Sequence, residues 1–334
     1  MRIIIDCDPG NRVPGANVDD GLALGLAAAS QDLALELVTT VAGNTPVDIG
    51  YQVARSLLDD WGMSIPVRKG AARPLRQDPG PWRKRLDRRR DPLAMDLWTD
   101  VAPPRQYAPA EPTADVAIAE LVSANPGEIT IVAIGPLTNI ARAMHLNPGL
   151  ARDVAEIVIM GGVFGVEGYT TDTNFGYDPE AAATVLGSGA RITLVPMDAT
   201  VQTLMTHGDL DAIGAIGSPL TRSLVSSTRP WVTFSSRTRG IPGAWLHDVL
   251  TVALLIDRTV ATGVTETVGV ELTDPTFRGR TRLRPSPAAG GAPGTPADGS
   301  PMTVLKTVDN DKLLRIVFEA FVSQAAALSA RTGE

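Results

Sequence analysis

Four aspartates, Asp6, Asp8, Asp19 and Asp20, fall at the head of this chain in an arrangement that can do chemistry. Ile3, Ile4 and Ile5 read as a buried parallel strand that runs into Asp6-Cys7-Asp8-Pro9-Gly10, and Asp19-Asp20 opens an apolar helical pattern. In an open α/β sheet, ligand crevices form at the carboxyl ends of strands. Like charges gathered there are costly unless a cation or a shared proton offsets them. Oxygen-only donors favour a hard divalent ion, calcium or magnesium.

A strand-terminal D-x-D alone is weak evidence, because aspartate commonly ends strands and caps helices. Its company carries the argument. Thr39-Thr40-Val41-Ala42-Gly43-Asn44 closes a second strand, Ile134-Gly135-Pro136-Leu137-Thr138-Asn139 a third, and Met160-Gly161-Gly162 a fourth. Each brings backbone or amide groups to the same edge of a sheet. The run Asp172-Thr173-Asn174-Phe175-Gly176-Tyr177-Asp178-Pro179-Glu180 adds polar groups before a helix, and His247-Asp248 starts another apolar helix.

Positioning these groups requires alternating elements. Residues 3–6, 35–41, 129–134, 156–160 and 191–196 read as short strands rich in β-branched side chains. Helix-period segments lie between them at 19–30, 46–61, 113–125, 138–146 and 179–186, then at 208–216, 219–228, 246–257 and 309–329. This order predicts an α/β, Rossmann-like fold, a mainly parallel sheet flanked by helices with a helical elaboration in the second half. A single domain over 1–334 is expected. Residues 77–112, rich in proline and arginine, read as a surface loop, with a flap over a crevice or a subunit contact as the alternative. Residues 285–301, rich in proline, glycine and alanine, read as a second surface loop.

Composition narrows the function classes. With 44% hydrophobic residues in a chain of 334, there is enough apolar mass for a large core. A net charge of -7 argues against nucleic acid as a partner. Cys7, the single cysteine, excludes an internal disulfide, and no charged, apolar leader precedes the first strand, so cytoplasmic residence is expected. The apolar runs, such as 23–29, fall short of the roughly 20 residues of a membrane span, so no membrane partner is expected.

The motifs D-x-D-P-G, the acidic pair, V-A-G-N, I-G-P-L-T-N-I-A, M-G-G, N-F-G-Y-D-P-E-A-A and H-D, in this order, resemble the inosine-uridine-preferring nucleoside hydrolase family. The resemblance implies calcium-dependent hydrolysis of the N-glycosidic bond of ribonucleosides to ribose and free base by a metal-activated water. It implies Asp8, Asp20, Asp248 and the carbonyl of Ile134 as calcium ligands, and Asp8 as the base that takes the water's proton. Asp19, Asn44 and Asn174 match the positions that bind ribose, Asp172 stands where the family generally has glutamate, and Met160 lies beneath the sugar. Asp6 would orient the loop without touching the ion. His247, whose unperturbed pKa lies near working pH, is the candidate to protonate the leaving base. The family also implies a homodimer or homotetramer and a place in nucleoside salvage.

The chain departs from the family pattern in three places. Eight residues, 11–18, separate Gly10 from the acidic pair where the family usually has one, and an outward loop at the substrate mouth is expected there. No histidine occurs in 77–98, and no asparagine in 163–171, where many members carry them. Two other classes compete. A haloacid dehalogenase-type phosphatase also begins with D-x-D but requires a later lysine and acid pair. A non-catalytic nucleoside or metal-binding descendant would keep the scaffold without turnover.

Overall fold

The computed structural model describes residues 1–284 and 300–332. Its frame is a nine-stranded sheet in the order β3-β2-β1-β4-β5-β6-β9-β7-β8. The strands are β1 Arg2–Cys7, β2 Ala34–Thr40, β3 Val67–Lys69, β4 Ile129–Ala133, β5 Glu156–Met160, β6 Ile192–Val195, β7 Ala261–Val270, β8 Thr281–Arg284 and β9 Pro301–Val308. From β3 through β9 in space all pairings are parallel; β7 runs antiparallel to both β9 and β8.

Side-chain alternation explains the layering. Ile3 and Ile5 of β1 face one apolar layer with Leu22, Leu24, Val249 and Leu250, while Ile4 faces the other with Ile131, Ile140 and Ile157. β4 and β5 are buried along their whole length, as expected of parallel strands covered by helices on both faces. β1 pairs with β2 on one side and β4 on the other, so the chain reverses its direction of travel across the sheet at β1. A ligand crevice belongs outside the carboxyl ends of such strands.

The second half differs from the sequence expectation. Helices His207–Ala215, Pro219–Arg239, His247–Ile256 and Asn310–Thr332 are present, but β7, β8 and β9 also extend the sheet. Helix Pro219–Arg239 continues past Pro230, where the pattern predicted a stop. Burial of Trp231, Val232 and Phe234 beyond the proline outweighs the roughly 3 kcal/mol that an interior proline costs, and Gly240, at φ 69°, ends the helix. Within the last helix, Asn310–Ala330 is long and apolar enough by length and composition to cross a membrane, which the short apolar runs had not suggested. Its Leu313, Val317 and Phe321 pack into the core, whereas Phe318 and Val322 are exposed.

Residues 77–112 hold two short helices, Gly80–Leu86 and Pro92–Leu97, with Ala94 and Trp98 buried. Of the expected loop at 285–301, residues 285–299 lie outside the described residues, and Pro301 begins β9.

Candidate active site

The acidic head of the chain and the His247-Asp248 pair, far apart in sequence, meet at the carboxyl ends of β1 and β4. Asp19 and Asp20 occupy the first turn of helix Asp19–Ala29, and Asp248 the first turn of helix His247–Ile256. Carboxylates in a first turn are favoured by the helix dipole, which offsets part of the repulsion among them. Carboxylate oxygens of Asp19, Asp20 and Asp248 all lie within 4.8 Å of one another. The Asp8 backbone N–H donates to Asp20 Oδ1 at 2.9 Å, and the Asp248 N–H to Asp19 Oδ2 at 3.1 Å. The tightest set thus contains Asp19, with Asp8 adjoining it through Asp20.

All four are buried, at 2–5% exposure. Burial pushes the Asp8 carboxyl up to about 7 and that of Asp19 up to about 6. Asp20 and Asp248 are pushed well above the ordinary carboxylate range, first by burial and then by the neighbouring aspartates. Asp19 Oδ1 has no hydrogen-bond partner among the described residues. Buried, oxygen-only, mutually repelling donors with an unpaired oxygen fit a hard divalent cation.

The surrounding backbone is built to hold Asp8 in place. Its Oδ2 accepts from the Asn44 N–H at 2.5 Å, and a Cβ at Gly43 would meet that oxygen at 1.9 Å, so glycine alone fits there. Asp6 accepts at Oδ1 from Thr39 at 2.6 Å and from Asn139 at 2.8 Å, and burial pushes its carboxyl up to about 6. Its backbone carbonyl receives the Ile134 N–H at 2.9 Å, which fixes the end of β4 beside β1.

Asn174 joins three of the predicted positions. Its Nδ2 donates to the carbonyls of Ile134 and Met160, each at 3.0 Å, while its own N–H and that of Phe175 are capped by Asp172. Burial lifts the Asp172 carboxyl to about 6, and its Oδ2 has no hydrogen-bond partner among the described residues. The Ile134 carbonyl keeps a second lone pair free.

The 11–18 insertion folds inward, contrary to the outward loop expected. Asn11 is fully buried, Val13 and Ala16 join the core, and Arg12, at φ 69°, forms a partly buried ion pair with Asp60. Asn11 Nδ2 donates to Ser227 Oγ of helix Pro219–Arg239, and a Cβ at Gly21 would strike the Asn11 side chain at 2.2 Å. Gly15, at φ 70°, lies against Arg88. Asn44 spends both amide protons on the carbonyls of Asp8 and Asn17, and its Oδ1 accepts from the Asn17 N–H.

These groups enclose a cavity of about 410 Å³ with Asp8, Asp19, Asp20 and Asp248 on its lining. Ile134, Asn44, Met160, Asp172, Asn174 and His247 also line it, so the structure brings together every sequence-predicted position except Asp6, which sits behind Asp8. Trp231, Phe234 and Thr238 line it too, with the two aromatic rings stacked at 5.8 Å. Phe234 and Thr238 follow Trp231 at i+3 and i+7 on one helix face, a pattern that a helix ending at residue 228 conceals. Arg88 and Arg239 also line the cavity and were not anticipated. Trp245 stands edge-on to His247 at 5.8 Å. His145 and His207 sit at helix ends away from it, His207 bonded to Thr233.

His247 differs from expectation in its protonation. Burial, reinforced by the Arg239 guanidinium, pulls its pKa down to about 3. The ring is therefore neutral at working pH, with Nδ1 2.6 Å from Thr200 Oγ1. The reading from the unperturbed imidazole pKa omitted this burial.

Comparison with known proteins supplies the family. The profile of the inosine-uridine preferring nucleoside hydrolases matches residues 3–315. The chain is 33% identical over 299 residues to the pyrimidine-specific ribonucleoside hydrolase RihA of Enterobacter sp. (strain 638), covering 88% of this chain and 91% of that one. Among solved structures, a plant nucleoside hydrolase superposes with a TM-score of 0.82 at 30% identity, covering 96% and 98% of the two chains. The purine-preferring ribonucleoside hydrolase of Gardnerella vaginalis superposes with a TM-score of 0.81 at 25% identity, covering 98% and 100%. The phosphatase reading falls with these matches: the chain belongs to the inosine-uridine preferring nucleoside hydrolase family and is a ribonucleoside hydrolase.

Proposed function

We propose that this nucleoside hydrolase is calcium-dependent, with Asp8 as the base that activates water. The observation that supports it is the buried floor of four aspartates, in which Asp19 Oδ1 has no partner among the described residues. Held by Asp8, Asp20, Asp248 and the Ile134 carbonyl, a calcium ion would neutralise this floor and lower the pKa of water there. Asp8 takes the water's proton as the water oxygen bonds the anomeric carbon. The carbon–nitrogen bond breaks and its electron pair leaves with the base. The ionised aspartates favour the positive charge that develops on the sugar. Asp19 and Asp172 offer carboxylate oxygens to the ribose hydroxyls above Met160, and Asn174, whose amide protons go to the Ile134 and Met160 carbonyls, offers its Oδ1.

His247 acts here as a neutral hydrogen-bond donor. When Thr200 turns its one hydroxyl proton from the Met197 carbonyl to Nδ1, the ring carries its own proton on Nε2 and can offer it to the base as negative charge builds there. His247→Ala is expected to lower kcat/KM for inosine or uridine about a hundredfold and to leave p-nitrophenyl riboside, whose leaving group needs no help, nearly unchanged. Equal losses on both substrates would remove His247 from the leaving-base role.

Ribose release from inosine, adenosine, guanosine, uridine and cytidine, with calcium and after chelation, tests the whole reading. Release that stops on chelation and returns with calcium is the expected result, and it ranks the bases. Undiminished release after exhaustive chelation would overturn the calcium assignment. No release from any of the five, with calcium bound, would favour the non-catalytic descendant.

A further inference from the structure

The insertion at 11–18 places a residue in the cavity that no motif announces. Asn17 immediately precedes Val18 and the acidic pair, lines the cavity beside Asp8 and Asp19, and is half-buried. Its Oδ1 accepts from the Val18 N–H at 2.8 Å, and no protein group among the described residues accepts from its Nδ2. Asn44, the position expected to meet ribose, has no amide proton left to offer. One goes to the Asp8 carbonyl at 3.3 Å and one to the Asn17 carbonyl at 3.0 Å, while Oδ1 accepts from the Asn17 N–H at 3.2 Å. The contact is close-fitting: a Cβ at Gly10 would meet the Asn17 carbonyl oxygen at 2.2 Å and Asn44 Nδ2 at 2.7 Å. Farther along, the insertion is anchored by Asn11 to Ser227 and by Arg12 to Asp60, so its far end is held as firmly as its near one.

We propose that Asn17 binds substrate through Nδ2, donating to a ribose hydroxyl oxygen, and that Asn44 is its positioning residue. This rests on the nucleoside hydrolase reading of the same cavity. The sugar is the partner because Asn17 is fastened to the acidic floor through Asn44 and Asp8, whereas the aromatic wall of Trp231 and Phe234 suits the base. The insertion thus replaces one amide donor with another.

The test is a double-mutant cycle on the full-length enzyme with calcium, measuring kcat/KM for uridine, 2′-deoxyuridine and 3′-deoxyuridine in wild type, Asn17→Ala, Asn44→Ala and the double variant. Asn17→Ala is expected to lose about tenfold or more on uridine, and markedly less on the deoxy substrate that lacks the contacted hydroxyl. The double variant should be no worse than Asn44→Ala, because Asn44 acts through Asn17. Losses that multiply would make Asn44 an independent contact and overturn the proposal. Equal losses on all three nucleosides would make the insertion a wall and overturn it as well, as would wild-type efficiency in Asn17→Ala. Should Asn17→Ala misfold, Asn17→Ser keeps an acceptor for the Val18 N–H and removes the donor, and the same expectations apply. A wild type inactive on every ribonucleoside would instead sink the proposed function.

Discussion

Asp8→Asn is expected to lower kcat by about a thousandfold or more while the metal-free protein melts no lower than wild type. The amide cannot take the water's proton, so the largest part of the loss falls on the chemical step. Stability moves the other way because of the site's electrostatics. Burial has raised the Asp8 carboxyl to about 7, so its ionisation in the folded state is unfavourable. A neutral amide of the same shape removes one charge from the floor and still presents an oxygen to the Asn44 N–H. Steady-state kinetics beside a melting curve checks both halves. An unchanged kcat would sink Asp8 as the base, and a collapse in melting temperature would show that its charge stabilises the metal-free fold.

Calcium is expected to raise the melting temperature, and to raise it more at pH 7.5 than at pH 5. Carboxyls whose folded pKa lies above the unfolded value hold more protons in the folded state between those two values, so stability falls as pH rises through that window. For Asp19 and Asp8 the window runs from the ordinary carboxylate value up to about 6 and about 7, and Asp20 and Asp248 add to it in the same direction. Asp257 and Glu271, which hydrogen bonds hold at about 2, contribute with the opposite sign only at more acid pH. His247, held at about 3, acts against this up to its ordinary value near 6.5, but one imidazole against four carboxyls leaves a net softening of the metal-free protein toward pH 7.5. A cation bound by the ionised floor reverses the penalty, and at a hundredfold excess over its Kd contributes about 2.7 kcal/mol. In a chain of this size that is several degrees. Scanning calorimetry across pH, with and without calcium, would contradict this reading if the metal-free curve were flat and calcium shifted nothing.

Much of the site was legible because its residues lie where strand and helix signals are strongest. The isoleucines of β1 locate Asp6 and Asp8, the apolar run after Asp20 locates the acidic pair, and the helix after His247 locates Asp248. What escaped depends on contacts distant in sequence. Nothing local says that Asn11 fits over Gly21 or that Arg12 finds Asp60, and without those contacts an eight-residue insertion reads as an outward loop. The neutrality of His247 is likewise a property of burial. β7 and β9 were missed because their stability comes from pairing with each other and with β6, while their own alternation is interrupted by exposed residues.

β1 precedes both of its neighbours in the sheet, β2 and β4, and β4 follows it by more than a hundred residues. The floor of the cavity closes only when helix His247–Ile256 brings Asp248 to Asp19. A nascent chain that ends before that helix can pair β1 with both neighbours and still lack a complete cation site. The acidic cluster is thus assembled only in a chain that has reached this helix, and shorter products would lack whatever stabilisation a cation there would give.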